Sequence, residues 1–160
     1  MHHVRRAVPE DAGELLRLRQ VMIDSLSTAA DPSTHWHAES LPTLRERLGD
    51  PDGDFAAYVV DHPQRAGTLA ALVVGTIEYR IGRAGNPRGT VGYVFSVATD
   101  PGARRRGYAR ACMGELLDWF RSRGATQVQL TASDDARALY DSLGFQPKPN
   151  PLMELRLSGA

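Results

Sequence analysis

The chain has 160 residues and a formal net charge of zero, and 42% of its residues are hydrophobic and 24% charged. This length and composition are typical of one folded domain, which we expect to cover residues 1–160, and they exclude a mainly disordered chain. Without net charge, no field of the whole molecule draws the chain to nucleic acid or to an anionic membrane. No apolar run reaches the roughly 18 residues of a membrane span and the N-terminus lacks a secretory signal, so we expect a cytoplasmic protein.

The composition also bears on redox chemistry and origin. Cys112 is the single cysteine, so no internal disulfide can form. Its apolar helical surroundings favour a small packing group over a nucleophile. Lys148 is the only lysine beside many arginines, alanines and glycines, which indicates a bacterial protein from a GC-rich genome.

In chain order, the first predicted elements are a short strand and an amphipathic helix. The strand covers residues 4–7. Pro9 and the two acids after it are typical of a helix start, and an apolar stripe with helical spacing then continues to Leu26. Residues 27–40 are polar and irregular, and residues 43–48 are predicted to form a second short helix.

Strand patterns dominate the middle of the chain. Three segments rich in Val, Ile and Tyr, separated by turn residues, are predicted strands: residues 55–61, 69–81 and 90–99. The first two are expected to pair antiparallel. The remaining chain alternates between the two patterns: a helix over residues 104–123, a strand over 127–131, a helix over 134–143 and a strand over 152–157. This order predicts an α/β (α+β) fold in which a mixed sheet has helices on both faces.

The most informative segment is the turn between a predicted strand and the helix that follows it. Gly107 and Ala109 are small residues at the helix start, where unpaired N–H groups and the helix dipole favour an anion. Arg104, Arg105 and Arg106 add donors suited to phosphate oxygens. The segment has neither the ending of a Walker loop nor the spacing of a dinucleotide fingerprint, so we predict a different pyrophosphate site. The alternative is an ordinary helix start with a solvated arginine run.

Two motifs then resemble a known family. The pattern Arg104-x-x-Gly107-x-Ala109 resembles the Gln/Arg-x-x-Gly-x-Gly/Ala signature of the GNAT superfamily of acyl-CoA-dependent N-acetyltransferases. Downstream, residues 136–145 (ARALYDSLGF) are similar to its second signature, Ala-x-x-Leu-Tyr-x-x-x-Gly-Phe. The resemblance is firm over residues 90–145. It implies a GNAT-like, mostly antiparallel twisted sheet with a splayed central strand pair.

The resemblance also implies where coenzyme A binds. Acetyl-CoA, the acyl donor, would enter the cleft between the splayed strands. Its pantetheine amides would pair with the backbone of Val97 and Thr99, and its pyrophosphate would lie on the N–H groups of residues 105–110. The implied cofactor-binding residues are Val97, Ala98, Thr99, Arg104, Arg105, Arg106, Gly107, Tyr108, Ala109, Arg110 and Ser133. Ser133 stands where relatives often have asparagine, and we favour the alternative that it caps the following helix.

Two residues are candidates for catalysis. Aminolysis of a thioester needs a neutral amine, a stabilised oxyanion and a proton for the leaving thiolate. Tyr140 matches the motif tyrosine that is the general acid in many relatives, and we favour this role over that of a core aromatic. A backbone N–H from the strand of Val97 can serve the oxyanion. Glu78 is the nearest acid that we propose as general base, and the alternative is an ordinary exposed glutamate.

We therefore predict an N-acetyltransferase. It transfers acetyl from acetyl-CoA to a primary amine of a small molecule or protein, by direct attack on the thioester in a ternary complex. The alternative is a non-catalytic acyl-CoA-binding or sensing domain. The expected partners are acetyl-CoA and the amine, without nucleic acid or membrane, and the chain is expected to be a monomer or homodimer.

Acceptor specificity is expected in two loops, residues 27–40 and 82–89. In the first loop, the cluster of His35, Trp36 and His37 is either a substrate wall or a feature of the surface. Two histidines without a third ligand do not make a metal site, so no metal is predicted. Acids that are candidates to line the cleft for a cationic amine are Asp24, Glu39 and Glu78.

Overall fold

A computed structural model describes residues 2–26 and 35–157 of the chain. Within these two ranges, five strands form one sheet in the order in which they occur in the chain. They are β1 (Val4–Arg6), β2 (Phe55–Asp61), β3 (Leu69–Tyr79), β4 (Thr90–Thr99) and β5 (Gln127–Leu130). Neighbouring strands are antiparallel except for β4 and β5, which are parallel. A parallel pair needs a crossover connection, and a long helix between β4 and β5 provides it.

Helices cover both faces of the sheet. In the same two ranges they are α1 (Ala12–Leu26), α2 (His35–Leu48), α3 (Tyr108–Ser122) and α4 (Arg137–Ser142). The helices α1 and α2 pack on one face through side chains such as Leu18 and Leu48. The helices α3 and α4 pack on the other face through Phe120 and Tyr140. This arrangement confirms the predicted fold class.

The prediction of a strand over residues 152–157 is wrong. The segment carries no strand, and Leu152, Met153, Leu155 and Leu157 are exposed. An alternating apolar pattern forms a strand only when its backbone pairs with a neighbour. This segment pairs with none of the strands in the described ranges.

Two helix starts also differ from the sequence prediction. The helix α2 begins at His35, although residues 27–40 were expected to be irregular; residues 27–34 lie outside the described ranges. A tertiary contact accounts for this start, because Trp36 Nε1 donates to Gln20 Oε1 of α1 at 3.2 Å. The helix α3 begins at Tyr108 rather than at residue 104, because the residues before it form a turn.

The strand β4 is paired with β3 along most of its length, but with β5 only along its first half. The last pair in the β4–β5 register joins Val94 to Leu130, where β5 ends. From there β4 continues to Thr99 with no partner on its β5 side among the described residues. This end of the pairing is the place at which the family resemblance implies that the two strands splay.

A β-bulge interrupts the pairing of β3 with β4 where the strands diverge. Val74 lies opposite Ser96 and Gly75 lies opposite Val94, so Phe95 has no partner on β3. A bulge sets two residues of one strand against one of the other, which re-aims the side chains. As a result, the consecutive residues Phe95 and Ser96 both line a cavity on the α1 side of the sheet.

Two glycines let α3 approach the sheet closely. A Cβ atom on Gly92 would lie 2.7 Å from the ring of Phe120, and one on Gly75 would lie 2.6 Å from the same ring. Phe120 is fully buried, so its ring has no space into which it can move. The contact of α3 with β3 and β4 therefore requires a residue without a side chain at both positions.

We expect Gly92→Ala to lower the free energy of unfolding by about 1–3 kcal/mol, because the added methyl group overlaps the Phe120 ring. Urea denaturation measures this change. The control is Gly114→Ala in α3, where a Cβ meets nothing within 4 Å. Helix propensity predicts that this substitution raises the stability by up to about 1 kcal/mol. Equal effects of the two substitutions would contradict the packing argument.

Candidate active site

The turn over residues 101–107 joins β4 to α3 and contains two left-handed backbone conformations. Arg105 has a φ of 63° and Gly107 a φ of 80°. Gly107 directly precedes α3, and no side chain caps the helix. The first helical hydrogen bond runs from the N–H of Ala111 to the carbonyl of Gly107 at 3.0 Å. The N–H groups of the three residues between them are thus the unpaired donors of a helix start.

The space around this turn suits an anionic group. A Cβ atom on Gly107 would lie 3.2 Å from Nε2 of His2, so a side chain at position 107 would crowd the imidazole that lies beside the turn. Arg104, Arg105 and Arg106 are exposed, and none of them forms an ion pair with a carboxylate in the described part of the chain. Backbone donors and free guanidinium groups together fit a pyrophosphate.

The buried carboxylate of Asp100 holds this turn in place. It accepts hydrogen bonds from Arg17 Nη1 at 2.8 Å and from Arg65 Nη2 at 2.6 Å. The backbone N–H of Asp100 donates to the carbonyl of Ala70 at 2.8 Å, and its carbonyl accepts from the N–H of Ala103 at 2.8 Å. Asp100 therefore links the end of β4 to α1, to β3 and to the loop before β3.

The electrostatics of Asp100 follow from these contacts. Burial alone would raise the pKa of the carboxyl group, but the hydrogen bond from Arg17 and the charges of Arg65 and Arg17 lower this pKa below its usual value. Arg17 is held in turn by Glu14, whose carboxylate also accepts from the N–H of Leu69 at 2.8 Å. The ionised form of Asp100 is thus the one that stabilises the turn.

Tyr140 lies in α4 and is only 6% exposed. The ring packs edge-on against Phe145 with a centroid distance of 5.8 Å, and burial raises the pKa of the phenol. No side chain in the described ranges bonds its hydroxyl. Within those ranges the phenol proton is therefore available to a ligand.

A hydrogen bond brings the two sequence motifs together. Arg110 Nη1 in the first turn of α3 donates to Ser142 Oγ of α4 at 2.6 Å. The 101–107 turn and the Tyr140 helix consequently lie on the same side of the sheet, beside the diverging ends of β4 and β5.

A second feature is a cavity of about 510 Å³ on the opposite face, between α1, α2 and the sheet. Its apolar walls include Leu15, Leu16 and Leu44, and its aromatic residues are Trp36, Phe55 and Phe95. Its charged and polar residues include Arg19, Glu39, Arg47 and Ser96. Because Phe95 and Ser96 belong to β4, this cavity and the cleft beside β5 share one strand.

A comparison with known protein families agrees with this geometry. The model of the acetyltransferase (GNAT) family matches residues 21–145, which is more than half of the chain. The chain belongs to this family. The match confirms the family that the two sequence motifs predicted.

Curated relatives of this GNAT chain include two acetyltransferases. It is 39% identical over 113 residues to the mycothiol acetyltransferase of Beutenbergia cavernae, which covers 69% of this chain and 35% of that protein. It is 27% identical over 119 residues to the glucosamine 6-phosphate N-acetyltransferase of Trypanosoma brucei brucei, which covers 74% of this chain and 75% of that protein. The chain thus covers less than two thirds of the length of the mycothiol acetyltransferase that it matches.

A solved structure supports the fold. A protein from Clostridium acetobutylicum that is described as a predicted acetyltransferase, determined with acetyl-CoA, superposes with a TM-score of 0.80 at 19% identity. The likeness covers 98% of this chain and 96% of that one. It shows that the whole described chain has the GNAT fold.

The structure separates the residues that the sequence assigned to the site. Val97 and Thr99 lie half-buried on the part of β4 that β5 leaves unpaired, with Ala98 buried between them. Glu78 lies elsewhere: it pairs with Arg80 at 2.8 Å and sits opposite Val91. Ser96 lies five positions after Val91, which is about 16 Å along the strand. The position of Glu78 does not favour its predicted role as general base.

Ser133 does not cap the following helix, and that expectation is wrong. Its carbonyl accepts from the N–H of Ala136 at 3.2 Å, but its hydroxyl makes no capping hydrogen bond. The helix begins with a tight 3₁₀ turn over Asp134–Ala136, which changes where its first N–H groups point. The hydroxyl stays free for the predicted contact with coenzyme A.

The sequence analysis missed the cavity residues of α1 and β4. Arg19 had a signal, because it lies four residues after Leu15 and three before Met22, within the apolar stripe of α1. A charged residue at such a position needs a buried partner or a ligand. Phe95 had no signal in the sequence, since the bulge that re-aims its side chain depends on the pairing of β4 with β3.

The described ranges also bear on the expectations for metal binding, for Cys112 and for a membrane span. Those ranges hold no group of three or more His, Cys, Asp or Glu side chains that could bind a metal ion. Cys112 is fully buried and burial raises the pKa of its thiol to about 12, so it remains a protonated packing group. No helix in the part of the chain described is long and apolar enough to cross a membrane.

We expect Asp100→Asn to lower the free energy of unfolding at pH 7 by about 1–3 kcal/mol, because it removes a charged hydrogen-bond acceptor from Arg17 and Arg65. Since folding lowers the pKa of Asp100, its contribution is present above the usual pKa near ~3.9 and is lost as the pH falls through the lower folded value. The difference between variant and wild type should therefore shrink below about pH 4.

Urea denaturation at several pH values measures this effect. The control is Asp118→Asn, which removes an exposed carboxylate that pairs with Arg121 at 2.8 Å on the surface of α3. Its effect should stay within about 0.5 kcal/mol at every pH. A difference between Asp100→Asn and wild type that does not depend on pH would contradict the assignment.

Proposed function

We propose that this chain transfers an acetyl group from acetyl-CoA to a primary amine, which attacks the thioester directly while both substrates are bound. The observation that carries the proposal is the meeting of the two motifs through Arg110 and Ser142, which puts the 101–107 turn and the helix of Tyr140 on one side of the sheet. The names of the relatives support the same reaction class.

The 101–107 turn fits the pyrophosphate of acetyl-CoA. The free N–H groups at the start of α3 and the guanidinium groups of Arg104, Arg105 and Arg106 supply donors, and Gly107 lets the phosphates approach. The unpaired edge of β4 at Val97 and Thr99 supplies backbone groups for the two amides of the pantetheine arm. Acetyl-CoA supplies the thioester carbonyl that the amine attacks.

The chain's own residues manage charges and protons during this transfer. A nitrogen–carbon bond forms and the carbon–sulfur bond breaks. The ammonium loses one proton to water before it attacks, the attached nitrogen loses a second as the amide forms, and the leaving thiolate gains one. The raised pKa of Tyr140 keeps its phenol protonated at neutral pH, so that it can supply the proton to sulfur. Backbone N–H groups of β4 near the bulge stabilise the negative charge that develops on the carbonyl oxygen.

The acceptor amine binds in the cavity under α1 and α2. Of the three acids considered for a cationic amine, only Glu39 lines this cavity. Asp24 accepts instead from Gln20 Nε2 at 2.8 Å, and Glu78 lies toward the other end of β4. We therefore propose that Glu39 binds the incoming ammonium group. A path of water molecules then carries away the proton that the ammonium group loses. We also propose that the protein is bacterial and cytoplasmic, that it is a monomer or homodimer, and that it has no nucleic-acid or membrane partner.

We expect Gly107→Ala to weaken acetyl-CoA binding about tenfold, because the methyl group enters the space that the phosphates need, and tenfold corresponds to about 1.4 kcal/mol. Isothermal titration calorimetry with acetyl-CoA and with free coenzyme A measures it. Gly124→Ala is the matched control, since Gly124 has a φ of 84° and a Cβ there meets nothing within 4 Å. Both variants carry the left-handed backbone penalty, but only Gly107→Ala should lose affinity. No binding heat with wild type would refute the proposed site.

We expect Tyr140→Phe to reduce kcat by about 10²–10⁴-fold, because the leaving thiolate loses its proton donor, with unchanged acetyl-CoA affinity. Thiol release across a panel of primary amines measures turnover. Tyr79→Phe is the control, because it removes an exposed hydroxyl that bonds Asp54 at 2.9 Å near the other end of the sheet. Unchanged turnover in folded Tyr140→Phe would remove the acid role. Tight acetyl-CoA binding without turnover on any amine would favour the sensing alternative.

A further inference from the structure

The cavity between α1, α2 and the sheet is lined by two arginines and two phenylalanines that contact one another. Four of its side chains form a continuous row in the order Arg19, Phe95, Phe55 and Arg47. The guanidinium carbon of Arg19 lies 6.0 Å from the Phe95 ring, the two phenyl rings are 5.9 Å apart, and the guanidinium carbon of Arg47 lies 6.0 Å from the Phe55 ring. A guanidinium group therefore lies at each end of a pair of aromatic rings. We call these four side chains the arginine row.

Arg19 is the half-buried arginine of the row, and it lacks a counter-charge, whereas Arg47 is exposed to solvent. The Nη1 of Arg19 donates to Ser96 Oγ, and no carboxylate within the described ranges pairs with Arg19. Two other half-buried arginines differ: Arg5 pairs with Asp11 at 2.7 Å, and Arg17 pairs with Asp100 at 2.8 Å. Desolvation lowers the pKa of Arg19, whereas it is raised at Arg5 and Arg17. A cation held away from water without a carboxylate is costly, and an anionic ligand would remove that cost.

The location of Arg19 connects it to the acceptor. Its partner Ser96 belongs to the β4 bulge and directly precedes Val97, next to the proposed thioester position. Glu39 lines the same cavity from α2, so an acid faces a space that also holds two guanidinium groups. A ligand with one positive and one negative group would match Glu39 and Arg19 at the same time.

We propose that the acceptor is a small primary amine that also carries an anionic group, a carboxylate or a phosphate, and that Arg19 binds this anion. The inference rests on the proposed function, of which it names the substrate class. Arg47 adds a second positive charge at the outer end of the row, and the rings of Phe55 and Phe95 contact the carbon chain between the two charged groups. Amines without an anion lose the contact with Arg19 and are poor acceptors.

Matched pairs of amines test this class without any variant. The carboxylate arm compares 4-aminobutyrate with 4-aminobutan-1-ol, and the phosphate arm compares 2-aminoethyl phosphate with 2-aminoethanol. In each pair the amine is nearly the same and only one member carries an anion. We expect wild type to have a kcat/KM that is about 10- to 100-fold higher for the anionic member of at least one pair, the size of a charged hydrogen bond. The arm with the larger ratio identifies the anion.

A charge-removing variant assigns the preference to one residue. In Arg19→Gln the ratio within the preferred pair should fall to about one, while the affinity for acetyl-CoA stays the same. The matched control is Arg121→Gln, which removes the same charge from an exposed position on the other face. A ratio near one in wild type, or a ratio that Arg19→Gln leaves intact, overturns the inference while the proposed function stands.

A binding measurement makes the result independent of turnover. Trp36 lines the cavity, so its fluorescence should change saturably when 4-aminobutyrate or 2-aminoethyl phosphate is added to wild type, and not when either is added to Arg19→Gln. Trp36→Phe identifies the part of the signal that comes from the cavity, because Trp119 lies in the core on the other face. Absence of a saturable change with both anionic amines overturns the inference. Saturable binding without turnover supports the anion site and counts against the proposed reaction instead.

Discussion

The incomplete pairing of β4 is the constraint on which the rest of the site depends. Beyond Val94 the strand is bonded to β3 alone, so one edge of its backbone faces an open cleft. The bulge at Phe95 lies where that cleft begins and turns two consecutive side chains toward α1. One short stretch of strand therefore borders the proposed coenzyme A cleft on one side and the proposed acceptor cavity on the other. In the proposed reaction, a thioester held at the edge of β4 meets an amine held under α1 across that stretch.

A strand that has lost one neighbour needs another attachment, and Asp100 supplies it. Directly after β4, its carboxylate binds guanidinium groups from α1 and from the loop before β3, while its backbone bonds Ala70. These contacts fix the point from which the 101–107 turn departs. The free N–H groups at the start of α3 are thereby oriented relative to the cleft before any ligand arrives, which reduces the entropy that binding has to overcome.

Two groups of arginines in this chain, which has no net charge, differ in whether they pair with a carboxylate. Arg5, Arg17 and Arg123 pair with aspartates and join elements that are distant in sequence. Arg19 and the run over residues 104–106 pair with no carboxylate in the described ranges, and they border the two places where anionic groups are proposed to bind. Net charge reports only the sum, so composition alone could not reveal this division.

The sequence by itself determined the features that depend on near neighbours in the chain. Apolar spacing located α1 and α3, residue type located β2, β3 and β4, and the glycine and arginines before α3 indicated the anion site and the family. Only the tertiary structure decided the others. The parting of β4 from β5, the bulge at Phe95 and the contact of Arg19 with Ser96 arise between residues far apart in sequence. The apolar alternation at residues 152–157 likewise formed no strand, because strand formation requires a partner that a local pattern cannot supply.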